Sequence, residues 1–336
     1  MQIASAPMSE NSRPLEVTSD TDLPKSVYHY TDIVGLHGIW ESGQLWATGS
    51  RFLNDTSELK LGVLVVRGTV ARRQAELAQE NLDNLKRALE EGEPPMVSDI
   101  IDASKSANRA EIAELDEISL ATKEAERYMH CHIACLSEKR DQLSQWRGYA
   151  REGYCIGFNT QMLLESLGEN RVMRRVHYPA DGDERINVDE NENRYEAYAN
   201  EVVNYAKSLR QRLLPFVADC DDELRRWMLS KDLTVHAAFL KDGSFREECE
   251  VRIVEVNGKP DTFTPHRYGM VPQIFIPIPD GCIESITIGP TAHKELKLLS
   301  LFDYTRAVRF KKRDGMAPDS EIAPDIWNST IPFRDW

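Results

Sequence analysis

An α+β fold is what the sequence predicts, and three observations predict it. Segments with the period-two alternation of strands are short and widely separated, as in "SVYHYTD", "MHCHIACLSEKRD", "YCIGFNT" and "CEVRIVEV". Two long blocks with apolar residues at helical spacing, about 57–128 and 184–240, interrupt them. There is no Gly-rich strand–turn–helix and no phosphate-loop lysine motif, which argues against a doubly wound nucleotide fold.

Each element can be justified in order. Residues 1–25 lack apolar periodicity and are expected to form a disordered tail. The aromatic-rich stretch from Ser26 reads as a first strand. Thr31 or Asp32 caps a helix in which Ile33, Leu36, Ile39 and Trp40 share a face, and Gly43 stops it. "QLWATG" is a second short strand, followed by a loop through Asn54 and Asp55. Leu59, Val63, Val66, Val70, Leu77 and Leu85 then mark a long helix, "GEPPMVSD" breaks it, and a second charged helix runs to about Tyr128. A strand ends near Ser137, a short helix or turn carries Trp146, and "YCIGFNT" and "RVMRRVHYP" are the next strands. After the second helical block come "CEVRIVEV", "QIFIPIP", "IESITIGP" and the closing helix "AHKELKLLSLF". The expected organisation is one α+β domain over 26–312 with helical insertions, then an extension over 313–336.

A chain of 336 residues buries a core large enough to need no disulfide staples, and its six cysteines are scattered like buried cytosolic thiols. No basic, apolar leader opens the sequence, and the longest aliphatic run, "LGVLVV", is too short to cross a bilayer. A soluble, cytoplasmic protein without a membrane partner is expected. The net charge of −14 argues against a module that grips nucleic acid through a broad basic face.

Three stretches can carry chemistry. In Tyr28-His29-Tyr30-Thr31, strand geometry puts His29 and Thr31 on one face and the tyrosines on the other. His29 is then either a half-buried ring satisfied by backbone or part of a ligand site. In the second stretch, Ser137 ends a strand and Trp146, Arg147 and Tyr149 follow on a short helix. Cys131, His132 and Cys135 alternate faces there and cannot converge on a metal, so no metal is expected. In the third, Glu248, Glu250 and Arg252 share a strand face, opposite Val251 and Ile253. Three charges cannot be buried unpaired, so that face is either solvated or lines a polar cleft.

Taken together, "YHYTD", "RFLND", "CLSEKRDQLSQWRGYAREGYCIGF", "EECEVRIV" and "ITIGP" resemble a widespread bacterial family, domain-of-unknown-function family 2971. The resemblance covers most of Val27 to Phe310 outside the helical blocks. It departs from the family pattern at "NDTSE", which stands for the commoner "NDPxE", at Gln145, where a methionine usually precedes the tryptophan, and at Phe245, near a usual tryptophan. The strand order is in turn similar, more loosely, to the ADP-ribosyltransferase fold. That resemblance implies a split antiparallel β-sheet core with large helical insertions and NAD as substrate. It implies catalysis by Glu250 or Glu248. It also implies a nucleotide cleft built from His29, Tyr30, Thr31, Asn54, Ser137, Trp146, Tyr149 and Arg252. The acceptor, protein or nucleic acid among others, stays open, and an effector, toxin or phage-defence role is the setting implied. Two alternatives stand beside it. One is a catalytically silent nucleotide-sensing module. The other is a divergent metal-dependent nuclease using Asp242, Glu248 and Glu250, although Arg252 stands where such enzymes carry a lysine.

Overall fold

A branched β-sheet organises the molecule. The computed structural model describes residues 18–53, 58–90, 97–128, 130–178, 195–213, 222–267, 269–307 and 324–332. Strand β1 (Ser26–Thr31) leads through Asp32, whose Oδ1 accepts from the Gly35 amide at 2.8 Å, into α1 (Ile33–Ser42). This is the N-cap that an acidic residue before an apolar run supplies. Gly43 ends α1 at φ 63°, the left-handed conformation that glycine adopts without strain. Leu36, Ile39 and Trp40 are buried as the spacing predicts, whereas Ile33, in the first turn, is 55 % exposed.

Strand β2 (Gln44–Gly49) is followed by two long helices, α2 (Glu58–Glu90) and α3 (Val97–Tyr128). Strand β3 (Cys131–Ser137), a π-helical turn over Trp146–Ala150, β4 (Tyr154–Asn159), α4 (Thr160–Glu165) and β5 (Arg171–Arg175) follow. Helices α5 (Glu196–Leu213) and α6 (Asp222–Ala238) complete a helical layer. The chain then forms a tight turn (Gly243–Glu248), β6 (Glu250–Val256), β7 (Thr262–His266), β8 (Gly269–Pro277), β9 (Ile283–Ile288), α7 (Lys294–Ala307) and β10 (Asp325–Asn328). The pairings between these strands are antiparallel except that of β9 with β10.

The branch lies at β3. One of its edges pairs with β6 along its whole length, from Cys131 opposite Val256 to Ser137 opposite Glu250. The other edge is divided: Ser137 pairs with Tyr28 of β1, while His132 and Ile133 pair with Gly49 and Thr48 of β2. Strands β1 and β2 therefore splay apart and leave residues 134–136 without a strand partner on that side among the described residues. One wing continues through β4, β9 and β10, the other through β8 and β7.

Alternation assigns the two faces of the centre. Ala134 and Leu136 of β3, with Val251 and Ile253 of β6, join the main apolar core beneath α1 and α4. Cys131 and Ile133, with Val254 and Val256, pack under α2, α3 and α6. Those helices, with α5, also share an apolar core of their own. The contact of α2 with α6 is so close that a Cβ on Gly62 would lie 2.5 Å from the Ala237 backbone. Gly62→Val is therefore expected to lower stability by about 1–3 kcal/mol through overpacking, read as an earlier urea midpoint. An unchanged midpoint would mean that the two helices part at no cost.

Candidate functional site

Because β1 leaves β3 after a single residue pair, the Cys135 carbonyl has no strand donor on that edge. The His29 ring supplies one: its Nδ1 lies 3.0 Å from that carbonyl. A carbonyl only accepts, so Nδ1 carries the proton. Burial lowers the His29 pKa, against the raising effect of this hydrogen bond. The neutral ring thus keeps Nε2 as an acceptor.

Across the branch, the cross-strand row Tyr28–Ser137–Glu250 continues into Arg252; the π-helical turn covers Tyr28, and the end of α6 with Lys241 covers Glu250 and Arg252. Both faces of β6 are therefore inside the protein, and the solvated-face expectation for Glu250 and Arg252 is corrected: they are 4 % and 1 % exposed. Arg252 donates from Nε to Glu250 Oε1 at 2.9 Å and from Nη2 to Oε2 at 3.0 Å, and its Nη1 donates to the Ala238 carbonyl. Lys241, equally buried, donates from Nζ to Glu250 Oε2 at 2.9 Å and to Glu248 Oε2 at 2.7 Å. The Cys135 thiol adds a fourth hydrogen bond to Glu250. Burial alone would raise the Glu250 carboxyl pKa; the guanidinium and the ammonium outweigh it and hold the pKa at about 2.

Glu248 is not on the strand. It closes the turn Gly243–Glu248, and Cys249, at φ 44°, redirects the chain into β6. Its Oε1 accepts from the Tyr149 hydroxyl at 2.9 Å. Tyr149 stands on the π-helical turn and is 42 % exposed. Burial and then the Glu248 charge raise its phenol pKa.

These groups enclose a small cavity of about 60 Å³, lined by residues that include His29, Tyr30, Gln145, Tyr149, Glu248 and Glu250. The expected site residues divide accordingly. Tyr30 contributes to the wall, but its hydroxyl donates to the Lys139 carbonyl at 2.7 Å and accepts from the Gln142 amide. Ser137 donates to the Glu248 carbonyl at 2.8 Å and so fastens the turn rather than lining the cavity. Trp146 is buried outside the lining, its indole N–H on Asp141 at 2.8 Å and its ring edge-to-face with Tyr30. Arg252 lies behind Glu250 and does not reach the lining either. Thr31 lies at the far end of β1, opposite Tyr154. Asn54 lies outside the described residues.

Lys241 and Gln145 were not among the expected site residues. Charge balance points to the first: Glu250 and its neighbour Glu248 beside one arginine call for a second cation, and Lys241 directly follows the apolar run "AAFL". The carboxylates of the nuclease alternative are committed elsewhere, since Asp242 Oδ1 accepts from the Ser244 amide at 2.9 Å and Glu250 is held by Arg252 and Lys241.

An open, mainly antiparallel α+β sheet with a carboxylate-bearing cavity at its branch point is the class of protein that these features define. Residues 145–253 match the family model described as "Protein of unknown function (DUF2971)", and the resemblance read from the motifs holds over that span. The matched span starts at Gln145 and ends in β6, so it contains Tyr149, Lys241, Glu248, Glu250 and Arg252. No curated protein and no solved structure matches the chain.

Proposed function

We propose that the protein is an ADP-ribosyltransferase-like enzyme that cleaves the nicotinamide–ribose bond of NAD at this cavity, with Glu248 as the acting carboxylate. The observation that carries this reading is that His29 of the first strand lines the same cavity as Glu248 and Glu250, more than two hundred positions later. Hydrogen-bond accounting separates the two acids. A carboxylate offers about four acceptor sites. Those of Glu250 meet two N–H groups of Arg252, the Lys241 ammonium and the Cys135 thiol. Among the described residues Glu248 accepts from Lys241 and from Tyr149 at the rim, which leaves room for a ligand hydroxyl.

In such a reaction the C1′–N bond breaks and its electron pair leaves with nicotinamide. The oxocarbenium-like sugar is captured by an acceptor that gives up a proton. Glu248 would hold a ribose hydroxyl and stabilise the cation, while the neutral His29 ring anchors ribose or amide without exchanging a proton. The cavity is far below the roughly 300–1,000 Å³ of a ligand cleft, so it takes one end of NAD and the rest lies outside. The acceptor is a protein side chain, a nucleic-acid base, a small molecule or water.

The test is release of free nicotinamide from labelled NAD, with and without cell extract. Glu248→Gln is expected to slow release by roughly 10²–10³-fold, as loss of one preorganised interaction does, and His29→Ala to slow it as well. Wild-type protein that releases none under any condition would remove the reading. The small cavity and the occupied Glu250 favour one second reading, a module that binds the nucleotide and does not turn it over. NAD binding without consumption is its signature.

A further inference from the structure

Gln145 is the feature of the cavity that the proposed chemistry does not use. Its side chain is 6 % exposed and lines the cavity, and it makes no hydrogen bond to any described residue. Its neighbours are otherwise committed: the Tyr30 hydroxyl to Lys139 and Gln142, the Tyr149 hydroxyl to Glu248, and Glu250 to Arg252 and Lys241. Its backbone is also fixed, since Trp146 next to it is anchored on Asp141 and Tyr30. A ligand that enters the cavity displaces the water this carboxamide can bond, so one that pairs with it replaces those hydrogen bonds and one that cannot is penalised.

The wall also says what kind of group fits. Two carboxylates, the buried Glu250 and the partly buried Glu248, face two buried cations, Lys241 and Arg252, so no formal charge is left over for an anion. His29 presents an acceptor nitrogen, and a carboxamide presents both a donor and an acceptor. An uncharged group with a donor–acceptor edge satisfies both, whereas a carboxylate meets His29 Nε2 acceptor to acceptor.

We infer that Gln145 is a specificity-determining contact that reads an uncharged amide edge of the ligand and discriminates against the corresponding acid. The inference rests on the NAD reading above and adds to it a selection between NAD and its nicotinic-acid counterpart, deamido-NAD. Calorimetric titration of the full chain with NAD, deamido-NAD and ADP-ribose tests it, in wild type and in Gln145→Met, which keeps length and volume but removes the hydrogen bonds. Wild type is expected to bind NAD about tenfold tighter than deamido-NAD, the value of one hydrogen bond of about 1.4 kcal/mol. Gln145→Met is expected to lose that preference and to keep its affinity for ADP-ribose, which lacks the ring and reports an intact fold. A preference that survives in Gln145→Met, or its absence in a wild type that binds NAD, overturns the inference alone. Equal weakening of ADP-ribose overturns it too, because the residue is then structural. A wild type that binds neither NAD nor ADP-ribose overturns the parent reading and this one with it.

Discussion

Replacing Arg252 by methionine is expected to cost about 3–5 kcal/mol of stability, the range for removing one partner of a buried ion pair. The guanidinium is 1 % exposed and gives Glu250 two hydrogen bonds, and a third holds the Ala238 carbonyl near the end of α6. Without it the buried Glu250 shares the single ammonium of Lys241 with the partly buried Glu248, and two carboxylates face one cation. A protein with the usual 5–15 kcal/mol in hand loses much of its margin. Urea unfolding at neutral pH reads the loss directly. Combining Arg252→Met with Glu250→Gln is expected to recover at least half of it, because the orphaned charge is then gone. A single variant that loses less than about 1 kcal/mol would show that water reaches Glu250, and the cluster would not be buried as described.

The same cluster shows how far the sequence can be read. Alternation in "CEVRIVEV" is strong enough to locate β6 and to put Glu250 and Arg252 on one face. Carried one step back, it also places Glu248 on the strand, and there it fails. Cys249 adopts φ 44°, a conformation the residue type does not announce, so the glutamate swings into the turn and onto Lys241. The burial of that face depends on α6 packing over β3 and β6, which no local pattern encodes. Edge strands were hard to see for a related reason. Strand β7 contains Pro265 and is largely exposed, and β10 is four residues long, so neither has an apolar face to give it a period. The meeting of His29 with the late glutamates was legible only as residue types. Its physical basis is a β3 edge shared between two diverging strands, and the carbonyl this leaves for His29 to bond.

Acidification from pH 7 to pH 5 is expected to remove about 2 kcal/mol of stability through His236 alone. This histidine, in α6, is 3 % exposed, and neither ring nitrogen has a hydrogen-bond partner among the described residues. Burial first, then the charges of Arg174 and His177, lower its pKa from 6.5 to about 3. The sign follows from proton counting. Below pH 6.5 the unfolded chain binds a proton that the folded chain refuses until about pH 3, so stability is full above 6.5 and falls steadily between those values. His132, buried in β3 with its pKa lowered to about 4 by burial and then by His130, adds in the same direction. Glu250 acts in a different window: its depressed pKa contributes stability above about 4.5 that is lost as pH falls towards 2. The loss between pH 7 and pH 5 therefore belongs to the buried histidines and not to the carboxylate cluster. Urea midpoints for wild type and His236→Leu at the two values separate these contributions. The variant is expected to show a pH dependence about 2 kcal/mol smaller. An unchanged dependence would mean that the ring accepts its proton in the folded state, by opening the contact of α6 with its neighbours.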